Sequence, residues 1–276
     1  GGRSTATTVL SAAAVRTLLA DSTIDPQYKK LLAFSDNRQD ASLQAGHFND
    51  FIEVGMLRSA LYRSVELAGR GGITHDVLAQ KVFEALALPK PLYVANPEIK
   101  GVNAMEADKT FRDVLGYRLY IDQKRGWRIT SPNLEQTGLL AIDYASLDDL
   151  VIDEDVWTPL HGVLSSASPG ERRAVCKTLL DYLRRELAIK VDYLNVLRQE
   201  QIVQASNQWL AGNWALDDNE KLVHSYVCFP RGRNKNNDTR DAVYVSGRGG
   251  FGQYIGRRST FPQWPHGLTL VDKEDV

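Results

Sequence analysis

The sequence predicts an α+β chain that is mostly helical. It opens with a short, partial α/β portion, continues through a helical middle region and ends in a β/loop portion. Three observations carry this expectation. Apolar residues recur at helical spacing over most of residues 5–211. One strand-to-helix step, "LLAFSDNRQDAS", stands near the start. From residue 222 the pattern changes to short apolar runs divided by loops rich in Gly, Asn and Arg.

Taken in order, Val9, Ala13, Val15, Leu18 and Leu19 give residues 5–20 a loose helical period, and Pro26 ends that helix. Leu31–Phe34 reads as a strand, followed by six polar residues and a helix from about 39 to 67 that stops at Gly69-Gly71-Gly72. Thr74 is placed to cap "HDVLAQKVFEALAL" (75–88). "NAMEADKTFRDVLGYRLYI" reads as a helix, and "GWRITS" and "LLAIDY" as two short strands around the turn "PNLEQTG". A helix followed by two strands is the order of a winged-helix element, an order that many small α/β pieces share. Ser168-Pro169-Gly170-Glu171 starts a helix carrying Val175, Leu179, Leu180, Leu183 and Leu187 on one face, and another helix spans about 192–211. "LVHSYVCF" and "DAVYVS" are the C-terminal strands.

The 276 residues are 43% hydrophobic and 24% charged, ordinary for a globular chain with a core. No apolar run approaches the roughly 20 residues that cross a bilayer, so no membrane partner is expected. The first residues lack the charged leader and long apolar centre of a signal peptide. Cys176 and Cys228 are too few and too far apart for a metal cluster; the pair leaves one disulfide open, with reduced thiols in a cytoplasmic protein the favoured expectation. The abrupt start and the end on "VDKEDV" suggest a piece of something longer.

Net charge is −1, but the charge is polarised along the chain. Residues 142–155 hold six acids and no base. Residues 225–260 hold seven bases against two acids, a net of +5. The acidic run resembles an Mg²⁺-holding strand end, yet no G-x-x-x-x-G-K-[ST] accompanies it, which favours a solvated helix start. "GRGGFG" (247–252) is a literal G-x-G-x-x-G, but Gly256, Pro262 and Pro265 are expected to leave no room for the helix that a dinucleotide needs. Arg248, Phe251, Tyr254, Arg257 and Arg258 suit phosphate contact and base stacking, or else form a solvated or protein-facing basic loop. The five histidines are scattered, and no self-contained active site is legible; the segment's catalytic and metal residues are expected to be none.

"LLAFSDNRQDAS" resembles motif IV of superfamily 2 DNA helicases, the first strand and turn of their second RecA-like lobe. Its wording is similar to that of the large bacterial DEAD/DEAH-box helicases of the Lhr/YprA-like group, phage-defence helicases among them. The resemblance is strong over roughly residues 28–52 and vaguer over 126–150. It implies a start of the second RecA-like lobe at 1–68, a helical insert with winged-helix-like elements at 69–221, and a basic β/loop segment at 222–276.

It also implies nucleic-acid contact by Ser35, Asp36, Asn37, Arg38, Gln39 and Asp40, at a strand end and helix start that favour anions. The same polar residues could instead only cap the helix. In the basic segment Arg231, Arg233, Lys235, Arg248, Arg257 and Arg258 are the candidate phosphate contacts. ATP and Mg²⁺ are implied for a full-length parent and no cofactor for this segment, because the phosphate-binding loop, the DEAD/DEAH box and the arginine-finger motif are missing. The expected partners are nucleic acid, the rest of the helicase chain and a partner subunit. The rival classes are a protein-interaction insert docking through helices at 171–211 and a stand-alone enzyme of another type.

Overall fold

The structure, a computed structural model, describes residues 3–31, 38–125, 132–217, 221–222, 225, 227–232, 242–257 and 273. It is mostly helical, as expected. The expected strand 31–34 and "GWRITS" lie outside the described residues, apart from Leu31, which is not in a strand. The chain divides into two compact units. One is built from Gly1–Gly116, Trp127–Leu134 and Ala205–Ala215, the other from Tyr117–Gly126, Glu135–Gln204 and Leu216–Val276.

The first unit contains α1 (Arg3–Ala20), α2 (Arg38–Ala68), α3 (His75–Leu86) and the first part of α4 (Gly101–Arg125). On α2, Leu57, Ala60, Leu61 and Ser64 are buried at helical spacing. The Ser64 hydroxyl lies 2.7 Å from Ala60 O and 3.0 Å from Lys81 O, tying α2 to α3. Gly69 and Gly72, at φ of 62° and 64°, turn the chain between these helices through a left-handed backbone that a side chain would strain.

An aromatic core closes the unit. Tyr93 and Phe111 stack with centroids 4.3 Å apart, and Trp214 meets Phe111 edge-on at 4.8 Å. The Tyr93 hydroxyl donates to Asp108 at 2.5 Å, and Trp214 Nε1 donates to Leu92 O at 3.2 Å. Burial first, and then the bond to Asp108, push the Tyr93 phenol well above its ordinary range.

In the second unit three short helices precede a long one: α5 (Leu147–Ile152), α6 (Glu154–Trp157), α7 (Gly162–Ser165) and α8 (Pro169–Arg185). The expected start of α8 is a full capping box: Ser168 Oγ accepts from Glu171 N, and Glu171 accepts from Ser168 N at 2.7 Å. Leu147, Val151, Trp157, Val163, Leu164, Ala167 and Val175 form the core between them.

Arg172 lies inside that core with 1% of its side chain exposed. Nε donates to Leu164 O at 2.9 Å, Nη1 to Val151 O at 3.3 Å and Glu154 at 2.7 Å, and Nη2 to Glu154 at 3.0 Å and Ser165 O at 2.8 Å. Its guanidinium also sits 5.2 Å from the Trp157 ring centroid.

The acidic run is therefore only partly the solvated helix start that its composition suggests. Glu154 holds Arg172, while Asp143 and Asp148 both hold Arg173. The expected strand at 139–144 is corrected too: these residues belong to no strand. They dock on α8, where Lys177 Nζ donates to Ile142 O at 2.7 Å and the Tyr144 hydroxyl donates to Asp181 at 2.8 Å.

Arg184 completes this side of α8. It donates to Glu135 at 2.6 Å, to Asp181 at 3.1 Å and to the Tyr144 oxygen at 3.1 Å. Burial raises the Glu135 carboxyl, but the bonds from Arg184 and Arg185 outweigh it and hold the group below its ordinary value. Asp181 is likewise net lowered, burial being outweighed by Tyr144, Arg184 and Lys177.

Two predictions follow from α8. Arg172→Ala should cost about 3 kcal/mol or more in urea denaturation, because it strands buried carbonyls and opens a cavity. Arg173→Ala, whose partners are exposed, should leave the midpoint nearly unchanged. Carboxylates whose folded-state pKa is depressed stabilise the fold above their unfolded pKa and lose that contribution as pH falls. Stability should be flat above about pH 5 and drop below about pH 4.5, and a Glu135→Gln/Asp181→Asn variant, although less stable, should show a shallower acid drop.

Candidate nucleic-acid interface

α9 (Val196–Trp209) leads to the C-terminal portion, where Gln199 clamps the backbone of Leu222: its Nε2 donates to Leu222 O at 3.2 Å and its Oε1 accepts from Leu222 N at 3.1 Å. Beyond it, β1 (Val227–Phe229) and β2 (Ala242–Tyr244) pair in parallel, with Val227 opposite Ala242, Cys228 opposite Val243 and Phe229 opposite Tyr244. Val245 N donates to Phe229 O at 2.9 Å and extends the ladder by one residue. Side chains in register on neighbouring strands project from the same face. The Phe229 and Tyr244 rings accordingly stack, with centroids 5.5 Å apart and planes 30° from parallel. The Arg231 guanidinium lies 4.7 Å from the Phe229 centroid.

Because the strands are parallel, both leave the sheet at the same end. Gly232, after β1, comes alongside Ser246, after β2: a Cβ on Gly232 would lie 3.7 Å from Ser246 Oγ. Ser246 Oγ in turn accepts from Arg248 N at 3.1 Å. The two loops that carry Arg231 and Arg248 thus meet at the carboxyl end of the strand pair, where open α/β sheets hold ligands. Arg231, Arg248 and Arg257 are exposed, and none of them forms an ion pair among the described residues.

The glycine-rich turn departs from expectation. A six-residue helix, α10 (Gly250–Ile255), does follow it, ending at Gly256. Gly252 is required there: a Cβ at that position would collide with the backbone of Gly247, so the third glycine lets the helix close on its own turn. Phe251 and Tyr254, expected to be stacking residues, instead pack partly buried against the core of the second unit, with Ile255 fully inside it. The Tyr182 hydroxyl donates to Tyr244 O at 3.4 Å, tying β2 to α8. Burial raises the Cys228 thiol above its ordinary value, which keeps it protonated at neutral pH.

Of the other expected contacts, Ser35, Asp36, Asn37, Arg233, Lys235 and Arg258 lie outside the described residues. Arg38, Gln39 and Asp40 form the first turn of α2, matching the expected helix start; their side chains lie outside the description. Phe229 and Tyr244 are the residues that sequence reasoning missed. Their only signal is that each stands near the end of a short apolar run that leads into a basic, glycine-containing loop, Phe229 as its last residue and Tyr244 as its last but one.

No group of His, Cys, Asp and Glu among the described residues could hold a metal ion. No helix among them is long and apolar enough to cross a membrane. Of the helices at 171–211, on which the rival reading places partner docking, α8 exposes no large apolar side chain, whereas α9 exposes Val196 and Leu197 at its start. No family model, curated protein or solved structure matches the chain.

Proposed function

We propose that this chain is an internal region of a superfamily 2 DEAD/DEAH-box DNA helicase of the Lhr/YprA-like group, beginning at the second RecA-like lobe. Its role is to contact nucleic acid and couple a helical insert to the motor, without catalysing a reaction alone. ATP and Mg²⁺ belong to the parent motor, whose phosphate-binding loop and acidic box this sequence does not carry. The RecA-like start rests on the wording of "LLAFSDNRQDAS" and on the long α2 that follows it. The winged-helix character rests on α4 and on the wording of "GWRITS" in the sequence, without a strand at 139–144.

The observation that carries the nucleic-acid role is the Arg231–Phe229–Tyr244 stack beside the Arg248 turn. Exposed cations with no ion pair among the described residues supply phosphate contacts, and half-buried rings supply surfaces on which bases stack regardless of sequence. Arg231 is already ordered over a ring, which lowers the cost of fixing it on a phosphate.

Fluorescence anisotropy with labelled single- and double-stranded DNA tests this at about 50 and 200 mM salt. Binding should weaken steeply with salt. Phe229→Ala should lose about tenfold or more in affinity for the single strand. Arg231→Ala should lower the salt slope by about one. No binding at low salt, or variants indistinguishable from the parent chain, would overturn the proposal.

A further inference from the structure

The second unit carries a ledge that the nucleic-acid role does not use. Along α5, α6 and the turn after them, Leu147, Val151 and Trp157 point into the core. Four other large apolar residues of the same stretch point out: Leu150 is 41% exposed, Ile152 63%, Val156 38% and Leu160 44%. The exposed acids Asp153 and Asp155 lie between them in the chain and Asp149 immediately before them, and none of the three forms an ion pair among the described residues.

The ledge is held rigidly. Trp157 Nε1 donates to Leu150 O at 2.7 Å, Arg172 holds Val151 O, Asp153 caps Asp155 N at 3.2 Å, and Leu160 N donates to Trp157 O at 3.0 Å. Its backbone is thus fixed before any partner arrives, and little backbone ordering entropy opposes docking.

We infer that this ledge docks a basic amphipathic segment of a partner protein, with apolar side chains seated on Ile152, Val156 and Leu160 and Lys or Arg facing Asp149, Asp153 and Asp155. The charge selects this occupant. A second copy meeting the ledge across a two-fold axis would bring Asp149, Asp153 and Asp155 against their own like. Nucleic acid would meet the same repulsion. An acidic peptide would leave the aspartates desolvated and unpaired. The inference is independent of the nucleic-acid role, because it uses no residue of the strand pair.

The test uses the full chain and a fluorescein-labelled 18-residue helical peptide with a leucine stripe flanked by lysines. A peptide of the same composition with the stripe scrambled serves as control. The striped peptide should bind in a salt-dependent manner and the scrambled one at least tenfold more weakly. Ile152→Ser/Leu160→Ser should weaken the striped peptide tenfold or more, and Asp149→Asn/Asp155→Asn should weaken it while flattening the salt dependence. Leu67→Ser, on α2, and Phe229→Ala should leave it unchanged. Equal binding of both peptides would overturn the inference by showing charge attraction alone. So would variants with no effect, or sedimentation showing that the chain dimerises through Ile152.

Discussion

Arg172 enters the interior of the second unit with all five of its N–H groups engaged, three on backbone carbonyls and two on Glu154. The helices it gathers, α5, α6 and α7, are six, four and four residues long. Helices that short do not persist alone in water, since nucleation costs more than one or two turns return. Here the guanidinium replaces the missing turns: it donates to carbonyls at the ends of α5 and α7, and its one charged partner stands at the start of α6. A buried charge is costly unless every donor is satisfied and a counter-charge lies close, and both conditions are met.

The same arrangement governs the C-terminal portion. Ile255, Phe251 and Tyr254 of α10 pack against the core that Arg172 organises. The helix is closed onto its glycine turn by Gly252, and that turn supports Arg248 beside the end of β1. The polarity of charge along the sequence takes on meaning here. About half of the acids of 142–155 are consumed by Arg172 and Arg173 of α8, leaving three on the ledge. The described exposed bases after β1 and β2 have no such counterparts among the described residues.

Much of the helical architecture was legible because long amphipathic elements repeat their pattern over several turns, as in α2 and α3, and because Ser168 and Glu171 stand at capping-box spacing. What escaped was set by tertiary contact. Residues 139–144 alternate like a strand, yet their carbonyls and Tyr144 are satisfied by Lys177 and Asp181. Proline and glycine counts argued against α10, but six residues suffice when a core receives them. Arg172 looks like a surface residue beside Arg173; only its place three residues before Val175 and four before Cys176 puts it on the apolar face. The stacking of Phe229 on Tyr244 depends on parallel register, which neither strand encodes alone. Half of the motif "LLAFSDNRQDAS", the clearest functional signal in the sequence, falls on residues 32–37, which the structure does not describe.

The most direct test of the central claim is photo-crosslinking of the chain to a bromodeoxyuridine-substituted single strand, with the modified peptides identified by mass spectrometry. The account predicts crosslinks concentrated at residues 227–232 and 242–248, competed away by unlabelled strand. Crosslinks confined to α1, α3 or the acidic ledge, with none at Phe229 or Tyr244, would contradict it.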